Sequence, residues 1–397
     1  MAQRYLLPAA DTLFEIGSCT KAFTSLVVGQ VVEQGKLSWS TPVTTLHPAS
    51  FKDPIAASQA TLIDILSHQT GLACHDALFE FSNTTDDWLS RVRHLEPFTS
   101  FHSAFQYNNF MYMLAGDIAE ALKAGILALL NMPNTIGTQE EMPGSLDHAR
   151  SFDAKGNLIP YEMDGPLGQT SSEGGISTSA NDVIQWLRAL LGRGTLSGTQ
   201  LVNDTTFEKL TSPHKTIEKP RTKGGHHSLM HTGGFHWNCG VGELPGLLSE
   251  VIAERLLFFE NRQTSKRSDA AREEQRKGQE RERRAAEERE SSRLNGTSPS
   301  HPLDAYEGTY AHSAYGRIKI TRPTPTSPNL HARVLNPGSK MGFDLAYWHL
   351  DGFAPVFDPS VNPLVTAVMG NFAFEMYPAT GAVRACVVPG ERFVREA

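Results

Sequence analysis

Apolar residues recur at helical spacing in the first part of the chain. Between positions 20 and 34 the large apolar residues lie three or four positions apart and include Phe23, Leu26, Val27 and Val31. This period predicts a helix, and Gly35 after it is typical of a helix C-terminus. Because apolar residues cover several sides of this helix, we expect it to be buried within a domain. A second apolar stretch, residues 112–120, predicts another helix.

The last quarter of the chain follows a different pattern. From residue 303 onward, short stretches alternate apolar and polar residues, as in Arg-Ile-Lys-Ile-Thr over residues 317–321, with Gly and Pro between them. A period of two is typical of β-strands, so residues 303–397 predict a small antiparallel β domain. Residues 261–293 are instead dense in Arg, Lys and Glu. This composition predicts a solvated helical linker, and a helix that binds a partner is the alternative.

Length, charge and cysteine content exclude several classes of protein. The 397 residues carry a net charge of −7, which gives no basic signature for nucleic-acid binding. The chain has four cysteines, too few and too widely spaced for a disulfide framework: Cys19, Cys74, Cys239 and Cys386. No apolar run is long enough to span a membrane. We therefore expect a cytoplasmic protein, unless a lost N-terminal segment carried a targeting signal. The predicted domains cover residues 1–258, 259–302 (the linker) and 303–397.

A candidate nucleophile precedes the first predicted helix. Ser18 lies three residues before Lys21, so both side chains face the same side of a helix that begins here. The lysine can then take the serine proton and turn the hydroxyl into a nucleophile. The helix N-terminus adds unpaired backbone N–H groups beside the serine. The alternative is an ordinary core helix whose N-cap is a serine.

A second string, Tyr107-Asn108-Asn109, precedes the second predicted helix. Here Tyr107 can accept or donate a proton if a neighbouring lysine lowers its pKa. Asn109 can bind a substrate amide or orient the lysine. The alternative is a tyrosine in the core and an asparagine that caps the helix.

The third string consists of small residues after a histidine: His231, Thr232, Gly233 and Gly234. Small residues let a substrate backbone approach closely. The backbone N–H groups of Gly234 and Ser18 can together form an oxyanion hole, and His231 adds an imidazole. The three histidines nearby raise the possibility of a metal site: His226, His227 and His236. Their spacing matches no zinc pattern, so we predict no metal and no cofactor.

In this order, the three strings resemble the motifs of the serine β-lactamase and penicillin-binding-protein superfamily. The match is to the class C β-lactamase-related branch, the S12-type serine hydrolases, which includes D-aminopeptidases, carboxypeptidases, esterases and acyltransferases. Segments 37–43, 61–72 and 174–183 are also similar to that family, so the resemblance covers most of residues 11–245. It implies an α/β fold: a β-lactamase/transpeptidase-like domain with an antiparallel sheet and helices. The C-terminal β domain resembles the lipocalin-like domain of several S12-type hydrolases.

The chain also departs from that family. The family's third motif often begins with lysine, a fixed cation that can hold a substrate carboxylate, whereas His231 is mostly neutral at pH 7. This weakens the case for a β-lactamase that degrades antibiotics. Thirteen residues precede Phe14, and few lie between Gly234 and the apolar stretch 244–252. We therefore expect an incomplete sheet, whose open edges favour self-association.

The resemblance implies a serine hydrolase that forms an acyl-enzyme. Ser18 attacks a carbonyl, and Lys21 and Tyr107 share the proton transfers. His231 polarises or orients the substrate. The remaining site residues bind the substrate: Asn109, Thr232, Gly233 and Gly234. The expected partner is a small ester, amide or peptide, with no nucleic acid and no membrane. The alternatives are an acyltransferase in secondary metabolism and a catalytically impaired remnant that only binds a ligand.

Overall fold

The chain divides into two compact units. We call them the helical unit, which comprises residues 1–238, 313–316 and 336–339, and the barrel unit, which comprises residues 239–312, 317–335 and 340–397. The structure is a computed structural model that describes residues 9–47, 51–81, 84–119, 127–137, 147–149, 172–215, 276, 280, 283–284, 287–288, 290–337, 339, 341–356, 370–388 and 391–396.

The helical unit is built around two buried helices. The α-helices described in it are α1 (Thr20–Glu33), α2 (Pro54–Gln59), α3 (Leu62–Leu66), α4 (Thr85–Arg91), α5 (Asn109–Ala119), α6 (Ala180–Leu191) and α7 (Asp204–Thr211). Helix α1 packs against α5 and α7, and α3 and α4 pack against α5. Of the helices in the described part of the chain, none is long and apolar enough to cross a membrane.

Helix α1 confirms the helix predicted after Lys21. Its large apolar residues are buried on several sides: Phe23, Leu26, Val27, Val28 and Val31. The helix ends at Glu33, and Gly35, just after the C-cap residue, has a φ of +70°, in the left-handed region that favours glycine. The N–H of Gly35 donates to the Val32 carbonyl oxygen at 2.9 Å. The second predicted helix is confirmed as α5.

Two short antiparallel pairs are described in the helical unit. Strand β1 (Phe14–Glu15) pairs with β2 (Ser177–Thr178), and β3 (Thr195–Leu196) pairs with β4 (Thr199–Gln200). The first pair brings the chain that leads into α1 beside the segment before α6. Residues 216–250, which hold the third string, lie outside the described residues. The incomplete sheet therefore stays a prediction.

Gly71 lies between α3 and α4 and contacts the backbone of residues 98–99. Gly71 has φ +83°, and its carbonyl oxygen accepts from the N–H groups of Phe98 and Thr99 at 2.9 and 3.2 Å. A Cβ at this position would lie 2.3 Å from the carbonyl oxygen of Thr99. Both the backbone angle and the close approach of another segment of the chain therefore require glycine.

Gly71→Ala is expected to destabilise the protein more than Gly198→Ala. Gly198 has φ +85°, but a Cβ added there would have no neighbouring atom within 4 Å, so its substitution measures the left-handed conformation alone, about 1–2 kcal/mol. At Gly71 the Thr99 carbonyl must also move, which raises the expected loss to about 3 kcal/mol or more. Calorimetric unfolding of both variants measures the difference. Equal losses would show that the close approach at Gly71 is unimportant.

The barrel unit is a closed antiparallel barrel. Its strands are β5 (Gly308–His312), β6 (Gly316–Thr321), β7 (Leu330–Val334), β8 (Gly342–His349), β9 (Gly352–Val356), β10 (Phe372–Met376), β11 (Val383–Val388) and β12 (Glu391–Arg395). Neighbours follow the order β10-β11-β12-β5-β6-β7-β8-β9, and the ring closes between β9 and β10. The antiparallel β domain predicted from the alternating pattern is thus confirmed.

The alternation in β6 shows how the barrel core forms. Ile318 and Ile320 are buried, whereas Arg317 and Lys319 are exposed. Aromatic rings fill much of the interior: Tyr306, Tyr310, Phe353 and Phe374, whose neighbouring centroids lie 5.1–5.6 Å apart. Because the barrel is closed, its described strands leave no unpaired edge of the kind that promotes aggregation.

The charged segment before the barrel is helical at the positions that the structure describes between residues 276 and 291. There Glu280 accepts from Arg283 at 2.7 Å and from Arg284 at 2.8 Å. Such pairs at positions three and four apart support an exposed helix, as the composition indicates. The linker limits at residues 258 and 302 stay predictions.

Candidate active site

Ser18 and Lys21 lie at the entrance to α1. Ser18 is the middle residue of a 3₁₀ turn, Gly17–Cys19, and Lys21 is the second residue of the helix. Cys19 occupies the N-cap position without a side-chain capping bond, so the alternative of a serine N-cap is wrong. Ser18 is partly exposed, whereas Lys21 is only 2% exposed. A reachable hydroxyl thus lies next to a buried amine.

Two consecutive asparagines at the start of α5 make different contacts. Asn108, which is fully buried, caps the helix: its Oδ1 accepts from the N–H of Met111 at 3.2 Å. Its Nδ2 also donates to the Ala73 carbonyl oxygen. Capping by Asn108 leaves the amide of Asn109 available to the site. The asparagine that caps the helix is therefore Asn108 and not Asn109.

Four of the predicted side chains converge. The Ser18 Oγ lies 2.6 Å from the Tyr107 Oη. The Lys21 Nζ donates to the Ser18 Oγ at 3.1 Å and to the Asn109 Oδ1 at 2.7 Å. It also donates to the backbone carbonyl oxygen of Glu173 at 2.7 Å. The lysine amine is therefore surrounded by three acceptors, one of which is the candidate nucleophile.

Burial weakens the affinity of Lys21 for its proton. Removal from water lowers the pKa of Lys21 to about 8, and the carboxylates of Glu173 and Asp76 and the Cys19 thiol act in the opposite direction. The Nζ also lies 4.9 Å from the centre of the Tyr107 ring. With a pKa of about 8, roughly one lysine in ten is neutral at pH 7 and most are neutral at pH 9.

Tyr107 differs from the prediction. Burial raises the pKa of Tyr107 to about 12, the hydrogen bond with Ser18 lowers it only in part, and the negative charge of Asp76 raises it further. The condition on which the sequence analysis based proton exchange by Tyr107, a pKa lowered by a neighbouring lysine, is therefore not met. Tyr107 keeps its proton across the neutral pH range, so it is suited to donating a proton and not to removing one.

Two further groups around the lysine have no counterpart among the sequence predictions. Asp76 begins a 3₁₀ helix, Asp76–Phe81, and its Oδ1 accepts from the Asn109 Nδ2 at 3.0 Å. Burial raises the pKa of Asp76, and the Asn109 N–H and the charge of Lys21 oppose that change. The second group is the Glu173 carbonyl oxygen. Asp76 is 33 positions from Asn109, and a backbone carbonyl carries no residue signature.

His68 supports the start of α5 from the other side. The residue is 5% exposed, and its Nδ1 accepts from the N–H of Asn108 at 3.2 Å. Its ring centre lies 4.6 Å from that of Tyr107. His68 belongs to segment 61–72, which resembles the family, and this resemblance was the only signal for it.

The third string cannot be placed beside this cluster. His231, Thr232, Gly233 and Gly234 all lie outside the described residues, so their roles stay predictions. Within the described ranges, no group of three or more His, Cys, Asp and Glu side chains is placed to hold a metal ion. The predicted lack of a metal and of a cofactor in the whole chain also stays a prediction.

Comparison with protein families gives two matches. Residues 3–244 match the family described as "Beta-lactamase", and residues 292–392 match the family described as "Domain of unknown function (DUF3471)". The first match contains Ser18, Lys21, Tyr107 and Asn109. The second covers most of the barrel.

Two curated relatives illustrate the range of similar proteins. An unguisins hydrolase of Aspergillus campestris is 30% identical over 209 residues, which cover 46% of this chain and 39% of that protein. A β-lactamase of Pseudomonas fluorescens is 26% identical over 186 residues, which cover 45% of this chain and 50% of that protein. The chain thus spans about two fifths to one half of the length of these relatives.

One solved structure resembles both parts of the chain. It is the octameric penicillin-binding-protein homologue from Pyrococcus abyssi, with a TM-score of 0.54 and 18% identity, over 98% of this chain and 89% of that one. At this identity the likeness concerns the fold alone. Because the Beta-lactamase match covers more than half of the sequence and contains the serine–lysine–tyrosine–asparagine cluster, the chain belongs to the β-lactamase family.

Proposed function

We propose that this protein is a serine hydrolase in which Ser18 forms an acyl-enzyme with a small ester, amide or peptide. The observation that carries the proposal is the buried amine of Lys21, 3.1 Å from the Ser18 Oγ, with a pKa lowered to about 8. A serine hydroxyl is a weak nucleophile by itself, and an adjacent base of this kind activates it.

The partners of Lys21 direct its free electron pair. A neutral amine has two N–H groups and one lone pair. The Asn109 Oδ1 and the Glu173 carbonyl oxygen can only accept, so each takes one of the two hydrogens. The lone pair is then left for the remaining neighbour, the Ser18 Oγ. This arrangement supports Lys21 as the base that removes the serine proton.

Tyr107 is placed to return a proton. As Ser18 Oγ bonds to the substrate carbonyl carbon, its proton moves to the Lys21 Nζ. Tyr107 Oη, 2.6 Å from Ser18 Oγ, then passes a proton to the leaving oxygen or nitrogen while Lys21 replaces it. Water later attacks the acyl carbonyl, and Ser18 recovers its hydrogen. In this scheme Asn109 orients the lysine, while the N–H groups of Ser18 and Gly234 bind the oxyanion.

The relatives support hydrolysis as the reaction. One is named as a hydrolase of unguisins and another as a β-lactamase. The Pyrococcus abyssi homologue is an octamer, which supports the idea that this chain also self-associates. A lipocalin-like role for the barrel, in shaping substrate entry or assembly, belongs to the same proposal.

The pH dependence of serine labelling tests the proposal. We expect a fluorophosphonate to modify the protein about tenfold faster at pH 9 than at pH 7, with a half-maximal rate near pH 8, because neutral Lys21 is the reactive form. Trypsin separates residues 5–21, which contain Ser18, from residues 22–36, which contain Ser25. A rate that is flat from pH 7 to 9, or a label on the second peptide, would contradict the proposal.

Turnover of p-nitrophenyl acetate separates the alternatives. Many turnovers in water identify a hydrolase. A single burst per protein, followed by turnover only when an alcohol is added, identifies an acyltransferase. A protein that is never labelled at Ser18 is the remnant that only binds a ligand.

A further inference from the structure

The amide of Asn109 is held at both ends. Its Oδ1 accepts from the Lys21 Nζ at 2.7 Å, and its Nδ2 donates to the Asp76 Oδ1 at 3.0 Å. An ammonium group can only donate, and a carboxylate can only accept. The chemistry of the two partners therefore fixes which end of the amide faces which neighbour.

The orientation matters when Lys21 has lost its proton. While Lys21 is an ammonium, it selects the amide oxygen by itself. Neutral Lys21 also has a lone pair, so a rotated Asn109 could donate its N–H to that lone pair. In that arrangement the lone pair would face Asn109 and not Ser18, and the base would be lost. Only a partner on the far side of Asn109 prevents the rotation in the reactive state.

We propose that Asp76 is a positioning residue, whose carboxylate holds the Asn109 amide so that the free electron pair of Lys21 faces Ser18. The inference rests on the proposed function, because it assigns Asp76 to the same proton transfer. Asp76 is half-buried and is the first residue of a 3₁₀ helix.

The charges around the lysine supply a measurable signature. Titratable groups that face Lys21 or flank Asp76 are Glu173, Cys19, Tyr107, Tyr112, Cys74 and His75. The negative charges of Glu173 and of Asp76 itself raise the pKa of Lys21 against the larger effect of burial. Removal of the Asp76 charge is therefore expected to lower the pKa of Lys21.

Asp76→Asn tests the inference through the pH profile of Ser18 labelling. We expect the half-maximal rate to move from near pH 8 to a value lower by about half a unit or more. We also expect the rate on the alkaline plateau to fall about tenfold, because an asparagine at position 76 no longer dictates the orientation of Asn109. The midpoint shift reports the lost charge, and the plateau loss, with its dependence on Asn109, reports the positioning role.

Asp64→Asn is the matched control. Asp64 is a buried carboxylate that also lies in the helical unit. It helps to cap α3, and its Oδ2 accepts from the N–H of Thr61 at 2.8 Å. Its substitution is expected to lower the melting temperature and to leave the midpoint of labelling near pH 8.

Two further variants make the test decisive. In an Asn109→Ala background, Asp76→Asn should cause no additional loss on the plateau, because Asp76 acts through Asn109. If circular dichroism shows that Asp76→Asn does not fold, Asp76→Ser removes the same charge with a smaller side chain and is judged by the same criteria.

A wild-type midpoint and plateau in the folded variant would overturn the inference, as would an additional plateau loss in the double variant. Failure of the proposed function is distinct, since the wild-type protein would then not be labelled at Ser18.

Discussion

Ser18→Ala is expected to abolish both covalent labelling and ester turnover, with a loss of at least about a thousandfold. The reason is that neighbouring hydroxyls have structural partners of their own. The Thr20 Oγ1 accepts from the Ile176 N–H at 3.2 Å, the Thr24 Oγ1 donates to the Ser172 carbonyl oxygen at 2.6 Å, and the Ser25 Oγ lies 3.2 Å from the Tyr112 Oη. No described hydroxyl of this group contacts the Lys21 amine in place of Ser18.

Ser25→Ala is the matched control for this experiment. It removes a hydroxyl from α1, seven positions after Ser18, and is expected to keep the labelling rate within about threefold of wild type, because losses of hydroxyls away from a site usually have small effects. Intact-protein mass spectrometry after reaction with the fluorophosphonate measures both variants. Persistent labelling of Ser18→Ala at a comparable rate would remove Ser18 from the mechanism.

Lys21→Met has the second-largest expected effect. Methionine fills a similar volume but offers no lone pair, so the serine hydroxyl loses its base. We expect the rate of labelling at pH 9 to fall by about a hundredfold to ten-thousandfold, the range typical of general-base catalysis. The rise in rate centred near pH 8 should disappear with it.

Lys36→Met controls for the loss of a positive charge. Lys36 is exposed just after α1, and its substitution is expected to leave both the rate and the midpoint unchanged. The labelling rate of each variant is measured at several pH values by stopping the reaction at set times and analysing the protein by mass spectrometry. A Lys21→Met protein that retained the wild-type rate and the midpoint near pH 8 would show that another group is the base.

Some of this site could be predicted because its information is local. The helical period after Lys21 extends over more than three turns, which makes α1 recognisable, and the order of the serine, tyrosine and histidine strings points to the family. Other parts depend on the tertiary structure. Asp76 reaches Asn109 from 33 positions away, and the intervening segment, which includes α4, has no motif that places one beside the other.

The barrel and Tyr107 show the same limit. Alternation identifies strands such as β6, but closure depends on which distant strands pair, for example β12 with β5 through Val394 and Ala311. For Tyr107, the sequence indicates a neighbouring lysine but not the loss of water around the phenol. Desolvation is the largest effect on the pKa of Tyr107, and it raises that pKa.

The burial of Lys21 also links reactivity to folding stability. Its pKa is about 8 in the folded protein and 10.5 as the ordinary value, so between these pH values the unfolded chain holds a proton that the folded chain has released. Stability therefore rises with pH across this window, and below pH 8 the charged lysine costs the fold roughly 3 kcal/mol. The protonation state that is reactive toward Ser18 is the same one that the folded protein tolerates best. Mild alkali is therefore expected both to speed the labelling of Ser18 and to make the protein harder to unfold, until other groups titrate.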